Sequence, residues 1–387
     1  MSGRAVVDRW RAAAEVLAEV RREPGVTRVE LARRLNLASA SATEISTRLR
    51  ELGWITETRA PAAGRGRPTT ALSPSPDGPA VLAVDLRYEG WRCALAGLDG
   101  RPVVRRSGRY RRRRADGVVE ELAPVVGALA RDAARPVAAA GVAIAATVTA
   151  NGPPLSDRSW LPTEPSRVAA GLGVPVVVGN DATLSGVAEV RTGAAAGAGT
   201  AIFLTVEVGV GGVLVVDGRP LEGARGASGE FGHLPFGDRA LTCPCGARGC
   251  WNVDVGAGAL VRLSGAAESE DPYGSARAVL ERAGRDSAAA DAATHVAGCL
   301  GRGTGGLVNA HDPDVVVLGG LGPALRATAP DAFGAAYDAA LMALHRERPV
   351  PVVDAAHGAD AALHGAVAVA LDQATSAAGL AAFERPR

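Results

Sequence analysis

Gly229-Glu230-Phe231-Gly232-His233 and, ten positions past that histidine, Cys243-Pro244-Cys245-Gly246-Ala247-Arg248-Gly249-Cys250 form the stretch on which the reading of this chain turns. Three of the five cysteines fall within those last eight residues. One imidazole and three thiolates are the soft-to-borderline donors of a closed tetrahedral zinc site. His233, Cys243, Cys245 and Cys250 are therefore expected to hold a structural Zn2+. Gly246 and Gly249 let the short loop fold back, so that the sulfurs can converge. The bland alternative is three buried thiols and a surface histidine, which the clustering in a cysteine-poor chain argues against. The donor set leaves no obvious open position, so the metal is expected to shape a loop and need not react.

The rest of the composition sets bounds. At 387 residues, two or three domains are expected. A hydrophobic content of 47% with 21% charged residues is that of a globular protein. No apolar run reaches bilayer length, and Met1 to Val20 lacks the apolar stretch of a secretory signal. A cytoplasmic location is expected, where a thiol cluster binds metal more often than it forms disulfides. The net charge of +1 names no partner. Every basic residue is arginine, and up to Pro79 thirteen arginines face nine acids.

Thr27-Arg28-Val29-Glu30 has the form of a capping box and predicts a short helix with Leu31, Ala32 and Leu35 on one face. A second helix from about Ser39 to Leu52 turns Ala42, Ile45, Leu49 and Leu52 inward and is stopped by Gly53. An earlier helix, Val7 to Val20, adds Trp10, Ala13, Leu17 and Val20. Three short helices followed by Trp54-Ile55-Thr56-Glu57 and a Gly/Pro/Arg turn describe a winged helix-turn-helix. Its outward face holds Ser39, Ser41, Thr43, Glu44, Thr47 and Arg48, short polar groups suited to a major groove. Arg65 and Arg67 in Gly64-Arg65-Gly66-Arg67-Pro68 suit phosphates or a narrow minor groove. Double-stranded DNA is the expected partner. Glu44 sits uneasily there, since a carboxylate repels the backbone unless a cytosine amino group donates to it. A three-helix bundle that binds protein is the rival reading.

Ser73 to Pro79 is rich in proline and reads as a linker. It divides a reader over 1–72 from a larger body over 80–387. In the body, short apolar runs near Val81–Asp85, Trp91–Ala96, Ala140–Ala145, Pro175–Val178, Ala201–Val206, Val213–Val216 and Val315–Leu318 alternate with helical segments, which is α/β architecture.

The ordered motifs resemble the ROK family of sugar kinases and winged-helix repressors. They are the reader with its Gly-Arg-Gly-Arg-Pro wing, Asn180-Asp181-Ala182, Gly229 to His233, the Cys-x-Cys-Gly-x-x-Gly-Cys loop, Asn309-x-x-x-Pro313 leading to Val317-Leu318-Gly319-Gly320, and Gly358 to Ala366. That resemblance implies a two-lobed, actin-like ATPase (ribonuclease H-like) fold, with lobe 1 over about 80–182 plus 366–387 and lobe 2 over about 183–365. It also implies that Asn180, Asp181, Glu230 and His233 face a sugar between the lobes, with Asp181 in the place of the general base. Where sugar-binding members carry Glu, this chain has Asn252.

Two departures bear on catalysis. The kinase segment Asp-x-Gly-Gly-Thr reads Asp85-Leu86-Arg87-Tyr88-Glu89 here, and Gly-Thr-Gly-x-Gly-x-Gly reads Glu207-Val208-Gly209-Val210-Gly211-Gly212-Val213. Tyr88, Glu207 and Val213 are expected to fill the nucleotide pocket, leaving no kinase activity and Asp181 as a vestigial base. The expected protein is a DNA-binding transcriptional regulator, a repressor, responding to a sugar or sugar phosphate. It reads two half-sites as a homodimer or homotetramer. Arg101 to Arg114, with eight arginines and no acid, reads either as a solvated hairpin or as an auxiliary phosphate-contacting surface. The alternatives are an ATP-dependent sugar kinase with an added reader, and a DNA-binding protein that ignores small molecules.

Overall fold

The computed structural model describes residues 3–59, 70–111, 114–149, 160–267 and 269–384. The reader comprises α1 (Gly3–Arg22), β1 (Val26–Thr27), α2 (Arg28–Arg34), α3 (Ser39–Glu51), β2 (Ile55–Arg59) and β3 (Thr70–Pro74). Thr27 caps α2 and Glu30 reaches back to the Thr27 backbone N–H, so the capping box predicted from sequence is formed. Trp10, Leu17, Leu31, Leu49, Trp54 and Leu72 fill its interior. The wing strands pair antiparallel in the order β1-β3-β2.

The body holds two sheets. The first has β4 (Ala80–Leu86), β5 (Trp91–Ala96), β6 (Val103–Gly108), β7 (Val137–Ile144) and β8 (Val176–Asn180), in the order β6-β5-β4-β7-β8. The helix α4 (Ala115–Arg131) follows β6, and α5 (Asp181–Thr192) follows β8. The second sheet has β9 (Thr200–Val206), β10 (Val210–Val216), β11 (Arg219–Pro220), β12 (Val315–Gly320) and β13 (Val352–Asp354), in the order β11-β10-β9-β12-β13. Between β11 and β12 lie α6 (Ala257–Leu263), α7 (Pro272–Arg282) and α8 (Ser287–His311). The helices α9 (Gly322–Thr328), α10 (Pro330–Ala340) and α11 (Ala343–Glu347) precede β13, and α12 (Ala361–Thr375) and α13 (Ala377–Glu384) end the described chain. Both sheets follow one plan: a meander of the first three strands, then two strands added parallel to the first. This repeated plan is the two-lobed, ribonuclease H-like fold expected from sequence. The central strands β4 and β7 are buried along their whole length and read as continuous apolar runs, as strands covered on both faces do.

One feature differs from the sequence reading. The stretch 73–79 is no free linker: Ser73 and Pro74 belong to β3, and Gly78 and Pro79 are buried in a turn. In that turn the Gly78 N–H donates to Ser75 O, and Arg135 donates to Pro76 O at 2.6 Å. The reader is therefore clamped to the body. Trp10, Leu17, Leu49 and Trp54 share one apolar cluster with Val81, Ala94, Leu98, Val367 and Leu371 of lobe 1, and α1 packs on α13. The helix α12, which begins at Ala361, packs on α5, β7 and β4.

Candidate functional site

Folding brings the four metal-ligand candidates together. One donor atom from each of His233, Cys243, Cys245 and Cys250 lies within 4.8 Å of every other. Cys243 Sγ stands 3.8 Å from His233 Nδ1, and Cys245 Sγ stands 3.6 Å from Cys250 Sγ. A tetrahedron with ~2.3 Å metal–sulfur bonds has edges of about 3.8 Å, so the donor set fits a Cys3His ion. A tight hairpin makes this possible: Cys243 N–H donates to Ala247 O at 2.8 Å, with Gly246 and Gly249 both at positive φ. Behind it the fully buried Trp251 anchors the loop, its indole N–H reaching Cys299 O at 3.0 Å. The backbone N–H of Ala247 and the neighbouring thiols draw the Cys245 thiol down to about 7, while burial pushes Cys250 up to about 12.

This loop forms one wall of a cavity of about 550 Å³ between the lobes, lined among others by Ala146, Thr147, Asn180, Asp181, Glu207 and Glu230. His233 and Asn252 also line it. With His233 Nδ1 turned to the sulfurs, Nε2 faces the Glu230 carboxylate at 4.0 Å. A carboxylate behind a ligating imidazole fixes the ring and its tautomer. Glu230 also accepts a hydrogen bond from the Thr147 hydroxyl across the cleft. Asp181 opens α5, where the helix dipole favours a carboxylate, and accepts the Ala182 N–H at 2.8 Å.

Two of the expected sugar contacts have local duties that the spacing did not reveal. Asn180 is the N-cap of α5: its Oδ1 accepts Thr183 N–H at 2.9 Å while its amide donates to Ala146 O at 3.1 Å. Asn252 Oδ1 accepts the Val210 N–H at 2.6 Å and so props the turn between β9 and β10. A Cβ on Gly232 would stand 2.1 Å from that same Oδ1, which is why glycine precedes His233.

Of the three residues expected to fill the nucleotide pocket, Glu207 lines that region, and Tyr88 and Val213 do not. Tyr88 packs edge-on against Trp160 at 6.1 Å, and Val213 is buried against α5, where a Cβ on Gly186 would meet it. Neither lines the cleft. Glu207 does, joined by Arg87 and Tyr273 around a smaller cavity of about 180 Å³ that also reaches Asp85, Asp181 and Gly320. Asp85 is buried, with Arg92 Nη2 at 3.0 Å and Arg87 Nε at 3.6 Å. Burial raises its carboxyl above the ordinary aspartate value against the pull of both guanidinium groups. Arg87 itself is held above the usual arginine value: burial lowers it, and Asp85, Glu207 and Glu89 more than compensate. The signal was available, since Arg87 stands where a glycine was expected, but its pairing needed the fold.

On the reader, Ser39, Ser41, Thr43 and Glu44 are exposed along α3, and Thr47 and Arg48 are half-buried. The helix N-cap is Ala38, whose side chain makes no capping bond, so the first-turn N–H groups remain for solvent or phosphate. Thr43 Oγ1 donates back to Ser39 O at 2.9 Å. Arg48 is turned away from the polar face: its guanidinium stacks 4.3 Å above the Trp10 ring and pairs with Glu384 of α13. Arg65 and Arg67 lie outside the described residues, as do Arg112 and Arg113. Of the remaining arginines of the basic run, Arg101 precedes β6, an edge strand exposed from Val103 to Ser107, and the others lie on or after it. Arg109 approaches Asp271 of α7 at 3.8 Å and Arg114 pairs with Glu120 at 3.0 Å.

Comparison with known proteins agrees with this architecture. The ROK family pattern matches residues 82–373, and a winged helix-turn-helix DNA-binding pattern matches residues 15–56. A crystallised ROK family transcriptional regulator, described as a homolog of the E. coli MLC protein, superposes with a TM-score of 0.77 at 21% identity, covering 98% of this chain and 100% of its own. A glucokinase of Halalkalibacterium halodurans is 32% identical over 161 residues, which is 38% of this chain and 49% of that protein. The xylose repressor of Bacillus subtilis is 27% identical over 154 residues, 40% of this chain and 39% of that protein. The chain thus spans about half or less of the length of these two curated relatives. It belongs to the ROK family, with a winged helix-turn-helix pattern ahead of the ROK region.

Proposed function

We propose that this chain is a transcriptional repressor that grips DNA through α3 and the wing, holds a structural zinc ion at His233, Cys243, Cys245 and Cys250, and senses a sugar without phosphorylating it. The reader would act as a pair of copies in a homodimer or larger homo-oligomer, since one winged helix buries too little surface for tight specific binding. The observation that carries the non-catalytic reading is the Arg87–Asp85–Glu207 cluster. A triphosphate there would have to displace Arg87 from Asp85, strand a buried carboxylate and meet the Glu207 charge. Asp181 is then a binding residue in the place of a base. Zinc, when bound, would supply shape and not chemistry: it fixes the loop that presents His233 and Glu230 to the cleft.

Charge also narrows the effector. The larger cavity is lined by the carboxylates of Asp181, Glu207 and Glu230 and by no arginine or lysine among the described residues. Carboxylates accept hydroxyl protons well and repel a phosphate dianion. An unphosphorylated sugar fits this wall, and a sugar phosphate does not. Such a ligand would replace the Thr147 hydroxyl on Glu230 and alter lobe closure. It would shift DNA affinity by on the order of 5–150-fold if its coupling is of ordinary size.

Two assays test this reading. A coupled ADP-release assay across common hexoses should give no turnover, and appreciable turnover would overturn the non-catalytic claim. Titrating neutral sugars and their phosphate esters against the protein–DNA complex should show a response to a neutral sugar alone. One observation favours a second reading, a regulator deaf to small molecules: Asn180 and Asn252 both spend their acceptor oxygens inside the protein. Silence across the whole panel would select it.

A further inference from the structure

We infer that Glu384, in the last described turn of α13, is a positioning residue of the DNA interface. It holds Arg48 of the recognition helix against lobe 1 and away from the nucleic acid. The two residues are 336 positions apart in sequence and form an ion pair at the seam between reader and body. Around the pair lies a cavity of about 460 Å³, lined among the described residues by Glu44, Thr47, Arg48, Glu51, Leu52 and Glu384. The reading helix and α13 thus border the same open depression, and the Arg48–Glu384 pair bridges them there. Arg48 is also cradled from the other side by Trp10, and Phe383, next to Glu384, meets Trp54 edge-on at 5.1 Å.

Three considerations make this a switchable contact and not simple packing. First, an arginine on a recognition helix is worth most to a protein–DNA complex on a phosphate, where it releases a counterion. Its side chain here is 32% exposed and that of Glu384 is 33% exposed, so a phosphate can compete for the guanidinium. Second, Glu44 and Glu51 flank the same cavity. With Arg48 paired to Glu384, that flank of the helix presents to DNA the carboxylates of Glu44 and Glu51, which have no ion pair among the described residues. Third, the seam is imperfectly satisfied, because the buried indole N–H groups of Trp10 and Trp54 have no hydrogen-bond partner among the described residues. Buried donors without partners mark an arrangement that can gain by shifting. Since α13 follows directly on α12, the helix that covers the lobe 1 sheet, movement of lobe 1 reaches Glu384 through two adjoining helices.

The test uses the full chain and a mixed-sequence DNA duplex, so no operator need be known. Glu384→Gln should bind the duplex about two- to five-fold more tightly, the range expected for releasing one half-exposed ion pair. Its plot of log affinity against log salt should steepen by about 0.9, the signature of one added phosphate contact. In an Arg48→Gln background the same Glu384→Gln change should do nothing, and Glu384→Asp should behave like the parent. The assignment is overturned if Glu384→Gln leaves affinity and salt slope unchanged. It is equally overturned if the gain persists without Arg48, since loss of a nearby negative charge would then suffice. Melting temperatures serve as the folding control.

Discussion

The turn joining β4 to β5 and the turn joining β9 to β10 occupy equivalent places in two sheets of the same strand order, yet they are built differently. Each closes with the same kind of backbone bond: Arg87 N–H to Gly90 O at 2.9 Å in the first, Glu207 N–H to Gly209 O at 2.8 Å in the second. The first is pinned by charge, through buried Asp85, Arg87 and Arg92, with Arg92 bridging on to Asp360 at the start of α12. The second is pinned by one neutral amide, Asn252 to Val210 N–H, on the segment that follows the cysteine loop. Where two glycine turns could offer backbone N–H groups to a polyphosphate, this chain has placed opposite charges that attract each other. The comparison teaches that a pseudo-symmetric frame can survive while its two equivalent turns take on different supports.

Removing the metal site should have the largest effect, because it strikes the second turn alone. Cys250→Ser is expected to abolish metal content and to cost on the order of 4 kcal/mol or more, the range reached when a structural metal is lost. Metal analysis and thermal melts measure both, and a variant that melts like the parent would break the contrast. Asp85→Ala should come next, at about 3 kcal/mol, because it takes from Arg87 and Arg92 their shared buried carboxylate and leaves them only their more exposed acidic partners.

The same residue gives a pH test. Folding raises the Asp85 carboxyl above its ordinary value, so the folded chain holds that proton more tightly than the unfolded chain does. Its contribution is full below the ordinary aspartate range and is lost as pH rises through the raised value. Across that window the unfolding free energy of the parent should fall relative to Asp85→Asn. Parallel curves would sink the assignment of burial as the cause.

Asn252→Ala should cost about 1–3 kcal/mol by orphaning the Val210 N–H. The loss should be confined to the second turn: hydrogen exchange should quicken in β9 and β10 and stay unchanged in β4 and β5. Equal quickening in both sheets would show that the two supports are not independent. The smallest effect belongs to the charges that meet between the turns. A double-mutant cycle of Arg87→Ala and Glu207→Ala should return a coupling of ~0.5–1 kcal/mol, as for pairs in partial contact with solvent.

The sequence by itself determined whatever depends on neighbours along the chain. The Thr27 capping box, the span of the recognition helix and the convergence of Cys243, Cys245 and Cys250 follow from spacings of a few residues. There, backbone geometry leaves few choices. Strands such as β4 and β12 declared themselves through apolar runs, because central strands are buried on both faces. What only the tertiary structure decided are meetings between distant segments. Tyr88 and Val213 looked like obstructions in the cleft, but packing set Tyr88 against Trp160 in the turn after β4 and buried Val213 against α5, and left Arg87 and Glu207 lining the opening. Asn252 had the chemistry of a sugar contact, and folding gave it a second duty by setting the Val210 backbone N–H, 42 positions away, within its reach. Arg48 had the look of a DNA contact, and only packing showed that Glu384 of α13 lies alongside it. A charge or hydrogen-bonding group is legible in sequence as a capacity; its partner is chosen by packing, because burying it unpaired costs more than the local chain can supply.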